Sequence, residues 1–352
     1  MSVRRYIYII WSAVLCAALA GCAVHQWPEQ EKSAKRVISV SLEYEPDFYL
    51  WEHKYDPVLG VVEAEHPSQD MFPDYPGASS KYTNIVPSGV VAVNVKAYPP
   101  SDPGNCAVEQ TFVSEIEGGY DSDLGVELPD GEAYDVVVWS HLLPDPDADP
   151  FYDPTDFNRV HIIAGNYDGN TDYRDGFRGR IRIDASAQTE ERYVIRMKRP
   201  MGKFELVTTD LSEFLDRETT RRNLPTRARV EDYRVVISFP MYYPNSYSVM
   251  DDRLENAATG VAFETRMTVT GESEASLGFE YVMLNNIADS GVQTRVDVYD
   301  LSGNHVAGSS MFTVPMRRDY HTLLRGAFLS TEGSGGVGID PGFNGDHNVT
   351  WH

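Results

Sequence analysis

Apolar and polar residues alternate along much of this chain. In VISVSLEY, residues 37–44, Ile38, Val40, Leu42 and Tyr44 share one face, and Ser39, Ser41 and Glu43 the other. A period of two predicts a half-buried strand. GVVAVNVKAY repeats it with Val91, Val93, Val95 and Ala97. AYDVVVWS does so with Tyr134, Val136 and Val138, after the turn-forming Pro129-Asp130-Gly131. FRGRIRID, RYVIRM, GKFELVT, YRVVISF, GVAFETRMTV, LGFEYVML and TRVDVYD carry the same alternation. Short strands separated by Gly, Pro and Asp predict an all-β chain, and their number predicts two β-sandwiches.

Helix is scarce. DLSEFLDRET is the best candidate, with Asp210 as cap and Glu213 three residues on, the spacing of a capping box. The alternation lapses in the polar DASAQTEE and resumes at Tyr193. This places a boundary near residue 187, with an N-terminal sandwich over 37–187 and a C-terminal one over 188–352. No tandem repeat is visible.

The N-terminal stretch reads differently. Arg4 and Arg5 precede an apolar run from Tyr6 to Leu19, the layout of a secretory signal over residues 1–21. Leu19-Ala20-Gly21-Cys22 matches a lipobox, in which the thiol of Cys22 takes a diacylglycerol and becomes the new N-terminus. An ordinary cleavage site that contains a cysteine is the plainer alternative. Residues 22–36 form a polar tether that would span about 50 Å fully extended. The expectation is a lipid-anchored protein of the outer membrane. Of the three cysteines, Cys16 leaves with the signal and Cys106 then has no partner, so no internal disulfide is expected. PPSDPGNC places Cys106 in a loop. The net charge of −23 disfavours nucleic acid and anionic lipid as partners.

Candidate chemistry is sparse. GSGGVG sets Gly333, Gly335 and Gly338 at G-x-G-x-x-G spacing, but IDPGFNGDHN follows and cannot open the helix that a phosphate site needs. It reads as a loop. DPDADPFYDPTDF offers Asp145, Asp147, Asp149, Asp153 and Asp156, a carboxylate density that could attract calcium. Asp168, Asn170 and Asp172 echo the start of a calcium loop, but Tyr173 stands where it needs glycine and Gly179 where it needs glutamate. Both read as acidic surface loops without metal. The histidines, His53, His141, His161, His305 and His321 among them, have no zinc spacing, and no nucleophile elbow occurs. Paired carboxylates for glycoside hydrolysis are diagnostic only by their separation in space. No catalytic residue, metal or cofactor is expected. Arg217, Arg221, Arg222, Arg227 and Arg229 form a basic run that reads as a solvated connection, with an acidic partner or a protease-sensitive loop as alternatives. MYYPNSY, with Tyr242, Tyr243 and Tyr247, reads as a strand end packing its own turn.

Several segments together are distinctive. LPDGEAYDVVVWSHLL, FYDPTDF and DYRDGFRG resemble the N-terminal domain of the type V fimbrillin-like lipoproteins of anaerobic diderm bacteria. KRPMGKFELVTTDL resembles the strand that opens that family's second domain, and VPMRRDYHTLLRGAFLS with GVGIDPGFNGDHNV its C-terminal strand and tail. The lipobox belongs to the same pattern. The resemblance implies two tandem transthyretin-like Greek-key sandwiches, displayed at the outer membrane surface in a fimbrium, with other fimbrial subunits as partners. Stalk subunits of that family lose a first strand to an arginine-specific protease, which opens a groove for a strand of the next subunit. Here Arg36 is the only arginine between Cys22 and the first strand, and none follows until Arg159. An N-terminal cut that opens a groove is therefore missing, which implies a retained lipid and an anchor or accessory role. A surface glycan-binding lipoprotein is the alternative. It requires an exposed aromatic platform, whereas assembly requires an open strand edge.

Overall fold

Alternation becomes strand at almost every predicted place, and the strands sort into four sheets. The computed structural model describes residues 34–45, 47–63, 81–82, 89–115, 122–163, 167–186, 192–286 and 290–330. The chain begins in β1 (Lys35–Tyr44), then runs through β2 (Phe48–Asp56), β3 (Gly60–Glu63) and β4 (Lys81–Tyr82). Next come β5 (Val90–Tyr98), β6 (Val108–Glu115), β7 (Ser122–Pro129) and β8 (Ala133–Leu143). The short β9 (Tyr152–Asp153) and β10 (Val160–Ile162) lead to β11 (Gly176–Asp184) and β12 (Tyr193–Met197).

The first sandwich sets a three-stranded sheet, β12-β1-β7, against a four-stranded one, β11-β8-β5-β6. Val40, Leu42, Val93, Val95, Val126, Val136 and Val138 meet in its core. The second sandwich takes the rest of the chain: β13 (Met201–Thr208), α1 (Leu211–Arg221), β14 (Tyr233–Ser248) and β15 (Arg253–Thr265). Then follow β16 (Thr268–Val269), β17 (Ala275–Met283), β18 (Ser290–Asp300), β19 (His305–Gly308), β20 (Phe312–Met316) and β21 (Tyr320–Gly326). One of its seven-stranded sheets runs β16-β17-β13-β21-β2-β3, with β4 on β2. The other runs β19-β18-β14-β10-β9, with β15 on β14 and β20 on β18.

The path between sandwiches is not a single crossing. β2 pairs in parallel with β21, Tyr49 opposite Tyr320 through Tyr55 opposite Gly326, so an N-terminal strand completes the C-terminal sheet. Gly326 permits this close fit, because a Cβ there would sit 2.1 Å from the Tyr55 carbonyl oxygen. The polar stretch near residue 187 lies largely outside the described residues. The strand after it, β12, pairs in parallel with β1, Val40 opposite Tyr193 through Tyr44 opposite Met197, so the first sandwich takes strands up to Met197.

β8 shows why the two halves stay together. Val136 and Val138 point into the first core, while Val137 and Trp139 on its other face belong to the second. A strand buried on both faces reads as a continuous apolar run, as VVVW does. Polar groups lock the same joint. The Arg199 guanidinium donates to both Asp175 oxygens, at 2.7 and 2.9 Å, with neither side chain exposed. It also lies 3.9 Å from the Phe48 ring centroid and 4.7 Å from that of Phe177. Such a bidentate, stacked arginine gains most where water is excluded.

The helix forms where the 3.6-residue pattern puts it, burying Leu211, Phe214 and Leu215. Its expected capping box does not form. The Asp210 carboxylate accepts instead from the Leu329 amide at 3.2 Å and from the Thr208 hydroxyl at 2.5 Å. A buried carboxylate takes whichever donors the fold brings, and here one comes from the end of β13 and the other from the chain beyond β21.

Candidate functional site

β1 follows the tether and is the strand on which the assembly reading turns. It lies in the middle of its sheet. One edge runs antiparallel to β7 from Lys35 opposite Pro129 to Leu42 opposite Ser122, and the other runs parallel to β12. Val40 and Leu42 are almost fully buried, and the Tyr44 hydroxyl donates to Ser140 Oγ at 3.0 Å inside the core. Arg36 is the second residue of the strand, paired opposite Leu128, with its Nε 3.1 Å from Asp130 Oδ1. Cys22, the signal and most of the tether lie outside the described residues, as do the glycines at 333, 335 and 338 and the tail beyond residue 330.

The acidic segment after β8 forms one wall of a crevice of about 550 Å³. The floor is the outer face of the four-stranded sheet: Ala92 and Asn94 of β5, Thr111 and Val113 of β6, His141 and Leu143 of β8. Asp147, Asp149, Asp153 and His161 stand opposite, on the segment that carries β9 and β10. Period-two geometry accounts for the floor, since these are the positions facing away from the first core. His141 is buried, with Nε2 2.5 Å from Asp149 Oδ2, and its Nδ1 makes no hydrogen bond among the described residues. Burial acts to raise the Asp149 carboxyl, but His141 and the amides of Tyr152 and Phe151 outweigh it and hold the group below the usual range. Asp153 is also lowered, chiefly by hydrogen bonding to Thr155.

The five candidate calcium ligands thus have mostly local work. Asp145, Asp149, Asp153 and Asp156 accept from amides two or three residues on, as turn-forming aspartates do. Asn170 pairs with Phe279 of β17 through both backbone and side chain, at a φ of 56°. Asp172 accepts from Lys203 and from the Tyr281 hydroxyl, both at 2.7 Å. That segment is a dowel into the second sandwich. Among the described residues no group of three or more His, Cys, Asp or Glu is placed to hold a metal.

The basic run is satisfied within its own neighbourhood. Arg221 pairs with Glu218, Arg227 with Asp216 and Arg229 with Asp232, while Arg217 donates to the Leu329 carbonyl and Arg222 to the Tyr233 hydroxyl. The tyrosines stand where expected, at a strand end: β14 closes at Ser248, and the Tyr247 hydroxyl donates to Asp252 in the turn beyond. MYYPNSY lies inside β14, a strand bulged around its prolines, because a residue without an N–H cannot continue the ladder. Tyr243 stacks on Phe239 at 4.4 Å, and Tyr247 packs against Trp139 across the joint. Only Tyr242 is exposed, so these residues form no aromatic platform.

Two features escaped the sequence. His141 sits at an outward position of β8, but nothing local signals that Asp149 will close over it. Arg174 and Glu280 come together from distant segments, with Arg174 Nε 3.8 Å from Glu280 Oε1 and both buried in the joint. Burial pushes Glu280 up to about 7 against the opposing pull of Arg174.

A family profile described as a family of unknown function, DUF6562, matches residues 92–352. In sequence, no curated protein matches the chain. Among solved structures it is similar to a candidate adhesin from Bacteroides ovatus, with 14% identity, 80% of this chain and 77% of that one covered, and a TM-score of 0.38. It is also similar to a candidate polysaccharide-binding protein from Bacteroides thetaiotaomicron, with 12% identity, coverage of 77% and 80%, and a TM-score of 0.38. A third is the fimbrial anchor protein Mfa2 from Porphyromonas gingivalis, with 11% identity, coverage of 78% and 82%, and a TM-score of 0.35.

Proposed function

As this chain belongs to DUF6562, a family of unknown function, we propose from its own residues that it is a lipid-anchored surface protein that holds a fibre subunit to the cell. Cys22 carries the lipid, residues 23–34 tether it, and the two sandwiches present strand edges to other subunits. The observation that carries this reading is the position of β1. It is paired with β7 from Lys35 to Leu42 and with β12 from Val40 to Tyr44, its apolar face is core, and Arg36 lies within the β7 ladder. A protease binds its substrate as an extended, unpaired chain, so a peptide bond within a paired strand is a poor target. Removing β1 would also leave unpaired backbone and an empty apolar groove. These features favour a subunit that keeps its first strand and its lipid. Among the described residues the glycan reading lacks support from aromatic exposure.

Membrane fractionation of Cys22→Ser, with intact mass of the wild-type protein taken from envelopes, tests this. Stable retention needs more than one acyl chain, so losing the lipidated cysteine should move the protein to the soluble fraction. The wild-type N-terminus should be a lipid-modified Cys22. Equal membrane recovery of both forms, or a mature chain starting beyond Tyr44, would overturn the reading.

A further inference from the structure

We propose that the crevice beside β9 and β10 receives a lysine or arginine side chain from an extended segment of a partner protein, laid along the open edge of β6. This rests on the assembly half of the proposed function and not on lipid attachment.

The backbone part of the argument is the edge itself. Among the described residues β6 ends its sheet, with β5 on one side only. At its start the Gln110 side chain accepts from the Glu127 amide of β7 at 3.1 Å, which draws the two sheets together there. Beyond that point Thr111, Val113, Ser114 and Glu115 are exposed. An edge of this kind can take a further strand through main-chain hydrogen bonds, while pockets beside it select alternate side chains. Thr111 and Val113, two residues apart, both line the crevice.

The chemical part is the imbalance of donors and acceptors. The Asp147 carboxylate makes no hydrogen bond or ion pair among the described residues, and Asp153 Oδ2 lies 3.8 Å from His161 Nε2, beyond hydrogen-bond reach. The other ring nitrogen of His141, Nδ1, is buried without a hydrogen-bond partner among the described residues. No lysine or arginine lines the crevice. The neighbouring Lys96 is already held by Glu109 at 3.0 Å and the Thr155 carbonyl at 2.5 Å. Carboxylates with no lysine or arginine among the described lining residues to balance them fit an ammonium or guanidinium. Ala92, Val113 and Leu143 fit its aliphatic stem. A sugar ring would want an exposed aromatic face, and the one aromatic side chain in the lining, Tyr152, is 2% exposed.

Fluorescence anisotropy on the full chain tests this with a labelled peptide, acetyl-Thr-Val-Lys-Val-Thr-amide, and its counterpart with glutamate for lysine. The lysine peptide should bind saturably and more weakly as salt rises. The glutamate peptide should not bind. The double variant Asp147→Asn, Asp153→Asn should weaken binding at least about tenfold, a difference of about 1.4 kcal/mol. Val113→Lys, at an exposed position, should do the same by placing a cation in the crevice. Unchanged thermal melts of both variants show that they are folded. No saturable binding of the lysine peptide, or binding indifferent to both variants, would overturn the proposal. So would binding of a neutral β-glucan oligosaccharide that the variants abolish. Should Cys22→Ser stay in the membrane, the anchor reading falls while the peptide result stands.

Discussion

Burial moves the Glu280 carboxyl well above the usual carboxylate range, and the consequence is a pH dependence of unusual sign. Its folded-state value of about 7 lies above the unfolded value near 4.5, because burial penalises the carboxylate more than Arg174 and the Tyr281 amide favour it. The native state therefore holds a proton that the unfolded state releases between those limits. The contribution to stability is full below about pH 4.5, falls as pH rises through the window, and is flat above about 7. At about 1.4 kcal/mol per unit the limit is about 3.5 kcal/mol. Glu280→Gln keeps the shape without the charge. Urea unfolding should show the variant gaining about 2–3 kcal/mol on wild type between pH 5 and pH 8. An equal difference at both pH values would refute the assignment. Cys106 lies at the other extreme. It is exposed in the loop before β6, with its thiol 3.0 Å from the Val108 carbonyl, as PPSDPGNC suggested. Cys106→Ser should shift unfolding by no more than about 0.5 kcal/mol in the same assay.

At the scale of elements, strands were legible and their partners were not. The alternation in VISVSLEY assigns every inward residue of β1 correctly, since side-chain period is a local property. Which sheet a strand joins depends on contacts far along the chain, and no local pattern carries it. FYLWEHKYD is harder to read, because its buried positions Trp51, His53 and Tyr55 include a polar histidine and so interrupt the apolar face, and it completes the sheet of β21. The α1 helix was legible by its apolar spacing, whereas its cap was not, because Leu329 competes for Asp210 from beyond the last strand. The crevice was partly legible: its aspartates stood out, but their turns and the closure on His141 are tertiary. β1 gives the sharpest test of this level. Leu42→Ala removes a fully buried side chain and should cost about 2–5 kcal/mol by urea unfolding. Val37→Ala, five residues earlier on the opposite face and 67% exposed, should cost under about 0.5 kcal/mol. Comparable losses at the two positions would mean that β1 is not held as a core strand.

At the scale of the whole molecule, the two sandwiches share material in both directions. The N-terminal half lends β2 to β21, a parallel pairing from Tyr49 to Tyr55, and it supplies Val137 and Trp139 to the second core. The second half returns Arg199 to Asp175, where a buried charge pair cannot lose one partner cheaply. Separating the halves would therefore expose a parallel strand edge and apolar surface, and would strand charges on both sides. Cooperative unfolding follows from such sharing, because neither core is complete alone. Thermal unfolding of the full chain should give one transition, coincident by far-UV circular dichroism and by tryptophan fluorescence. The two described tryptophans are well placed to report it, Trp51 in the second sandwich and Trp139 at the joint. A fragment comprising residues 198–352 lacks β2 and the outer face of β8, and it should show no cooperative transition. Two separated transitions in the full chain, or a fragment that melts cooperatively on its own, would show that the shared strands are decoration and that each sandwich stands alone.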